Sequence, residues 1–142
     1  MLRVVIDTNV IVSGILSRKG APDELLKAWR ERRFLLLCSP VILVEVRTVL
    51  HYPRIREKYP LSDEEIEQII ILLAHDALSV AGGANVTGSI PDDPRDEMFL
   101  ACALDGQADV IVSGDYHLLH LGFYRDIPIL TARQLLEQLA QE

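Results

Sequence analysis

Short aliphatic runs alternate along this chain with longer stretches in which apolar residues return every three or four positions. Runs of the first kind read as strands buried on both faces, and stretches of the second kind as helices that cover them. Residues 2–6 form the first run, which stops at Asp7-Thr8-Asn9. Residues 10–16 predict a short helix ending near Gly14 or Gly20. Ala21-Pro22-Asp23-Glu24 opens a second helix with acids in its first turn, running to about Arg33. Residues 34–38 are another continuous apolar run. Segment 41–50 suits either state, because its β-branched residues and the alternation Val44-Glu45-Val46-Arg47 are strand-like. The Ser39-Pro40 pair before it, a cap followed by a first-turn proline, favours a helix.

His51-Tyr52-Pro53 breaks that helix, and the basic stretch carrying Arg54, Arg56 and Lys58 fits helix or loop. Ser62 and Glu65 make a capping box, and Ile66, Ile69, Ile70, Leu73 and Ala77 give a helical stripe to about Ser79. Residues 80–94 read as a glycine-containing connection with a short strand near 85–87. A helix through Phe99, Leu100, Ala103 and Leu104 ends at Gly106, and residues 109–112 form the next strand. Residues 128–130 are a last strand, after which Thr131 caps a final helix carrying Leu135, Leu136 and Leu139. No internal repeat or low-complexity segment interrupts the series. Strands alternating with helices predict an α/β fold, a mainly parallel sheet with helices on both faces.

A length of 142 residues predicts a single domain spanning 1–142. With 49% hydrophobic but only 6% aromatic residues, the core is expected to be aliphatic. The net charge of −7 argues against a general polyanion-coating protein, since nonspecific nucleic-acid affinity comes from lysine and arginine on phosphates. It leaves open a nuclease whose negative charge is concentrated in a metal site. Cys38 and Cys102 lie in apolar runs and read as reduced core residues of a cytoplasmic protein. No apolar run approaches the ~20 residues of a membrane span, so no membrane association is expected.

Several carboxylates stand out by position. Asp7 follows the first strand, and Asp115 follows strand 109–112 by way of Ser113-Gly114. In open α/β sheets the carboxyl ends of the strands border the ligand crevice. The bland alternative is that Asp7 or Thr8 caps the next helix. On a helix at ~100° per residue, Val41, Ile42 and Val49 surround Glu45, so a charge falls in the middle of an apolar face. Such a group needs a metal, a shifted pKa or an arginine partner from elsewhere. In Pro91-Asp92-Asp93-Pro94-Arg95-Asp96-Glu97, Asp96 lies near the centre of the buried stripe and Glu97 on its shoulder, about 100° away. Asp92 and Asp93 read as turn and cap residues. If Asp7, Glu45, Asp96 and Asp115 converge, they repel, by about 1 kcal/mol per pair at ~4 Å in water and several times that in a partly buried cleft. A hard divalent cation removes the conflict, and oxygen ligands without paired His or Cys select Mg²⁺ or Mn²⁺ over zinc.

The strand leading into Asp7-Thr8-Asn9, Glu45 in the helix after Ser39-Pro40, Asp93-Pro94-Arg95-Asp96-Glu97-Met98-Phe99-Leu100-Ala101, and Val112-Ser113-Gly114-Asp115 form an ordered series. In order and spacing this series resembles the PIN-domain ribonucleases over nearly the whole chain, most closely the bacterial and archaeal group described as toxins of toxin–antitoxin pairs. The resemblance implies a three-layer α/β/α sandwich around a sheet of about five mainly parallel strands, often dimeric. It implies a metal-dependent endoribonuclease using Mg²⁺ or Mn²⁺, with RNA as substrate and an antitoxin protein and a second copy as partners. Asp7, Glu45, Asp96 and Asp115 would be its catalytic, metal-binding quartet, with Asn9 and Ser113 as supporting polar groups. Many relatives carry an Asn-Asp pair where this chain has Asp96-Glu97, and in that register Glu97 supplies the third acid. The angular position of Asp96 favours Asp96.

Two other readings compete. An aspartyl-nucleophile phosphatase also places Asp after the first strand, but it usually needs a second acid two residues on, where this chain has Asn9, and a positioned lysine, of which none follows Lys58. A non-catalytic partner-binding domain would keep the acids as caps, yet has little use for Glu45 on an apolar face. Arg18, Lys19, Arg47 and Arg95 are candidate phosphate contacts by their nearness to the acids. His117 and His120 lie just past Asp115 and could approach substrate, while Trp29 and Tyr116 read as packing residues.

Overall fold

A computed structural model describes residues 1–91 and 93–142. Val4, Val5 and Ile6 are buried in strand β1 (Arg3–Ile6), which lies between β2 (Leu35–Cys38) and β4 (Val110–Val112) and pairs in parallel with both. Val5 sits opposite Leu37 on one side and Ile111 on the other, so the middle of the sheet is continuous aliphatic surface. The sheet has six strands in the order β3-β2-β1-β4-β6-β5. Here β3 is Leu78–Ser79, β5 is Phe123–Tyr124 and β6 is Ile127–Leu130. All neighbours run parallel except β5, which is antiparallel to β6.

Helices α1 (Thr8–Leu16), α2 (Ala21–Arg30), α3 (Pro40–Leu50), α4 (Pro53–Lys58) and α5 (Asp63–Asp76) connect β1, β2 and β3. A 3₁₀ turn, Pro94–Asp96, leads into α6 (Glu97–Asp105), α7 (Tyr116–Leu121) lies between β4 and β5, and α8 (Ala132–Ala140) follows β6. α1 packs on α2 and α3, α2 on α8, and α3 on α5, while α6 lies directly on β1, β2 and β4. The result is a three-layer α/β sandwich. Cys38 and Cys102 are free and buried in its core, and burial raises their thiols to about 11 and about 12. Among the described residues no helix is long and apolar enough to cross a membrane.

Several starts are set by local chemistry. Ser39 caps α3 by accepting the amide of Ile42, and Ser62 with Glu65 forms the expected capping box on α5. Other boundaries depart from expectation. α1 runs through Gly14 to Leu16, because Gly14 is a point of helix contact and not a stop: a Cβ there would stand 2.6 Å from Leu26 Cδ1 and 2.7 Å from the Pro22 carbonyl. α2 ends at Arg30, where Arg32 turns into the left-handed region at φ 60°. α5 ends at Asp76, so that Leu78 can pair with Leu37 as an edge strand, and no strand forms at 85–87. A sixth strand, β5, comes from a hairpin whose turn residues Arg125 and Asp126 both have positive φ, a type I′ geometry built without the usual Asn-Gly signal. On α3 the buried face is Ile42, Val46, Val49 and Leu50, while Val41 is 53% exposed. Glu45 therefore stands at the border of that face and not at its centre.

From β1 the chain moves to β2 on one side, and from β4 to β6 on the other, so β1 and β4 flank the topological switch point. The crevice at their carboxyl ends is where such sheets hold ligands. Gly14→Ala is expected to destabilise the fold by about 1–3 kcal/mol through overpacking of α1 on α2, measured as a lower urea midpoint at unchanged slope.

Candidate metal centre

The two strand ends are tied together by side chains. The Asp7 amide donates to the Val112 carbonyl at 2.9 Å, and Asp7 itself is 3% exposed. Its Oδ1 accepts the Val10 amide at 2.9 Å, capping α1, while Oδ2 accepts the Ser113 hydroxyl and the Gly114 amide. Ser113 Oγ in turn accepts the amide of Asp115 at 2.9 Å. Asp115 caps α7, its Oδ1 accepting the amides of His117 and Leu118. Both jobs foreseen for Asp7, cap and crevice residue, are done by one carboxylate.

Across the crevice, Asp93 precedes the 3₁₀ turn before α6 and Asp96 ends it. Asp93, Asp96 and Asp115 each present a carboxylate oxygen, all within 4.8 Å of one another. They line a cleft of about 410 Å³ together with Asp7, Thr8, Asn9 and Glu45. Asp93, read from sequence as a turn or cap residue, makes no capping hydrogen bond and stands beside Asp96 and Asp115 instead. Its signal was the three-residue spacing to Asp96, which puts both on one face of a helical turn. Asp92 lies outside the described residues. Glu97 points elsewhere: its Oε2 accepts the Ile90 amide at 2.9 Å and anchors the preceding loop.

These acids stand where the sheet topology puts a binding crevice, and residues 3–117 match the PIN domain family. The chain belongs to the PIN domain family. It is 32% identical over 120 residues to the uncharacterized protein MJ1680 of Methanocaldococcus jannaschii, an alignment covering 84% of this chain and 75% of that protein. Membership places the acidic crevice on a nuclease fold.

In this PIN domain Glu45 lines the cleft but is bound to Arg95, whose Nη2 lies 3.1 Å from Oε1 and 3.4 Å from Oε2. Arg54 and Arg95 are the cations lining the cleft among the described residues. Arg18, Lys19 and Arg47 do not line it, and Arg47 is paired with Glu67 at 2.8 Å. His117 and His120 also stay outside, grouped around Tyr116, which is exposed and not packed as expected. Trp29 does pack, partly buried against the core.

Burial raises the pKa of Asp7, and the hydrogen bonds from Ser113, Val10 and Gly114 oppose that rise. Asp96 is pushed up to about 7, first by burial, then by the charges of Asp115 and Asp93, by a hydrogen bond with Asp115, and by Asp7. Two buried side-chain atoms on the cleft wall, Thr8 Oγ1 and Asp96 Oδ2, have no hydrogen-bond partner among the described residues. Three convergent carboxylates, an unpaired hydroxyl and no nitrogen or sulfur donor among the cluster fit a hard, hydrated divalent cation.

Asp96 sets a pH dependence. Its ordinary pKa of 3.8 holds in the unfolded chain, so as pH rises toward 7 the unfolded state releases a proton that the folded state keeps. Stability from this group falls across that window and stays lost above it. In EDTA, Asp96→Asn is expected to melt at a higher temperature than the parent at pH 8, with the gap closing at pH 4. Equal differences at both pH values would mean that the Asp96 carboxyl is not strained by its neighbours.

Proposed function

We propose that this PIN domain is a Mg²⁺- or Mn²⁺-dependent endoribonuclease that hydrolyses RNA phosphodiester bonds. The observation that carries the reading is the convergence of Asp93, Asp96 and Asp115 beside Asp7 at the switch point of the sheet. Asp96 and Asp115, two of the four acids expected from sequence, would hold the ion together with Asp93, while Asp7 and Glu45 line the same cleft outside that trio. A bound divalent ion supplies a water of lowered pKa and positive charge against the phosphate. Asp7, fixed by Ser113 and Gly114, holds negative potential behind the site and keeps the two strand ends in register. Asn9 and Thr8 offer neutral polar contacts on the cleft wall, and Arg54 and Arg95 offer charge to the substrate phosphates. Glu45 lines the same cleft, paired with Arg95.

An aspartyl-nucleophile phosphatase fits less well. Asp7 has both oxygens occupied and is almost wholly buried, which blunts it as a nucleophile. A partner surface has separate support. A second cleft of about 440 Å³ is walled by Ile11, Ile15, Leu26, Trp29, Leu72 and Leu73, and Leu72 is 62% exposed. This apolar face suits an antitoxin segment or a second copy, in keeping with a cytoplasmic toxin of a toxin–antitoxin pair.

The test uses a mixed-sequence single-stranded RNA and the purified chain. Cleavage is expected with Mn²⁺ or Mg²⁺, to cease in EDTA, and to fall at least 100-fold in Asp115→Asn. Calorimetric titration of Mn²⁺ should lose its heat in Asp96→Asn. Cleavage that survives EDTA, or undiminished Mn²⁺ binding in Asp96→Asn, would overturn the metal mechanism.

A further inference from the structure

The residue that follows Asp115 is an exposed aromatic. Tyr116 opens α7 and is 69% exposed, although the chain has few aromatic residues and buries most of its large apolar side chains. The ring has two aromatic neighbours. It stacks on His120, one helical turn later, with centroids 5.3 Å apart and planes inclined by 23°. The His117 ring meets its edge at 5.7 Å and 72°. One face of the phenol is therefore backed by an imidazole, and its exposure leaves surface on the other face for a planar partner.

Its position is fixed relative to the cleft. Asp115 lines the cleft and caps α7 through the amides of His117 and Leu118, so the first turn of the helix is pinned to the acidic site. Successive Cα atoms are ~3.8 Å apart, which puts the origin of the Tyr116 side chain one residue beyond the cleft wall. Charge alone gives a poor grip on a polyanion here, because the chain carries a net −7 and Arg54 and Arg95 are the described cations of the cleft. Stacking of bases on aromatic side chains supplies affinity that needs no positive charge.

We propose that the Tyr116 ring, backed by His120, is a ledge on which an unpaired nucleobase next to the cleaved phosphate of single-stranded RNA stacks. The inference rests on the ribonuclease reading and narrows its substrate to RNA with splayed, unpaired bases, since a base held inside a duplex has no free face to offer. His120 is a positioning residue in this arrangement, because it holds the ring flat.

The test is an anisotropy titration of fluorescein-labelled hexa-adenylate in EDTA, so that hydrolysis does not intrude, with Mn²⁺ calorimetry on the same proteins. Tyr116→Ala is expected to weaken binding roughly 5- to 150-fold, the span of one lost base stack. Tyr116→Trp should bind like the parent, and Mn²⁺ binding should be unchanged in both. A hexamer of abasic ribose phosphates should bind weakly and equally to parent and Tyr116→Ala. Hexa-adenylate affinity unchanged in Tyr116→Ala would overturn the ledge while leaving the nuclease reading intact. An abasic hexamer that loses as much affinity as hexa-adenylate would also overturn it. Reduced self-association of Tyr116→Ala in sedimentation, with RNA binding unchanged, would make the ring a protein contact and overturn the proposal. A parent chain that binds neither RNA nor Mn²⁺ would overturn both readings together.

Discussion

The hydroxyl of Ser113 donates to Asp7 and accepts the amide of Asp115, joining the ends of β1 and β4 through one fully buried side chain. Parallel strands need long crossovers, so nothing in local sequence keeps these two ends in step. Ladder pairing aligns Ile6 with Val112, and the serine carries the alignment past the last ladder bond into the crevice. Asp7 caps α1 and Asp115 caps α7 from this common anchor. The helix starts and the two acids are thereby linked through one set of hydrogen bonds, the kind of support that holds ligand oxygens in one geometry.

Against that hydrogen-bonded half stands a wall with a different balance of forces. Asp93 and Asp96 come from a short 3₁₀ turn whose acids face Asp115. Burial first, and then the charges of Asp115 and Asp93, push the Asp96 carboxyl up to about 7. A divalent cation fits among these three carboxylates and would remove the cost of ionising them together. Glu45 and Arg95 neutralise each other at the cleft mouth, so the mouth is less negative than the floor.

Where local chemistry decides, sequence and structure agree: Ser39-Pro40 starts a helix in a segment rich in β-branched residues, and Ser62 with Glu65 starts another. Where the decision is made by a distant neighbour, they part. Leu78 leaves the helix pattern because Leu37 offers a parallel partner, and Phe123 joins a strand through a turn of Arg125 and Asp126 that no motif announces. The crevice was legible because acids after strands follow from topology. Asp93 was not, since a residue before proline at the mouth of a helix is ordinarily a cap, and only the fold reveals that its side chain caps nothing. Glu45 demanded a partner by its placement, and an arginine from elsewhere was among the partners foreseen; Arg95 came from fifty residues away. Tyr116 looked like packing because composition and spacing carry no information on which way the first residue of a six-residue helix faces.

The two rims of the sheet have a further consequence. β3 and β5 are each two residues long, so neither rim presents enough unpaired backbone amides and carbonyls to template a strand from another chain. Growth by strand addition, domain exchange along the sheet and fibril-like stacking are all disfavoured by the architecture. Side chains on the helices and loops therefore offer more surface for any assembly than the sheet rims do.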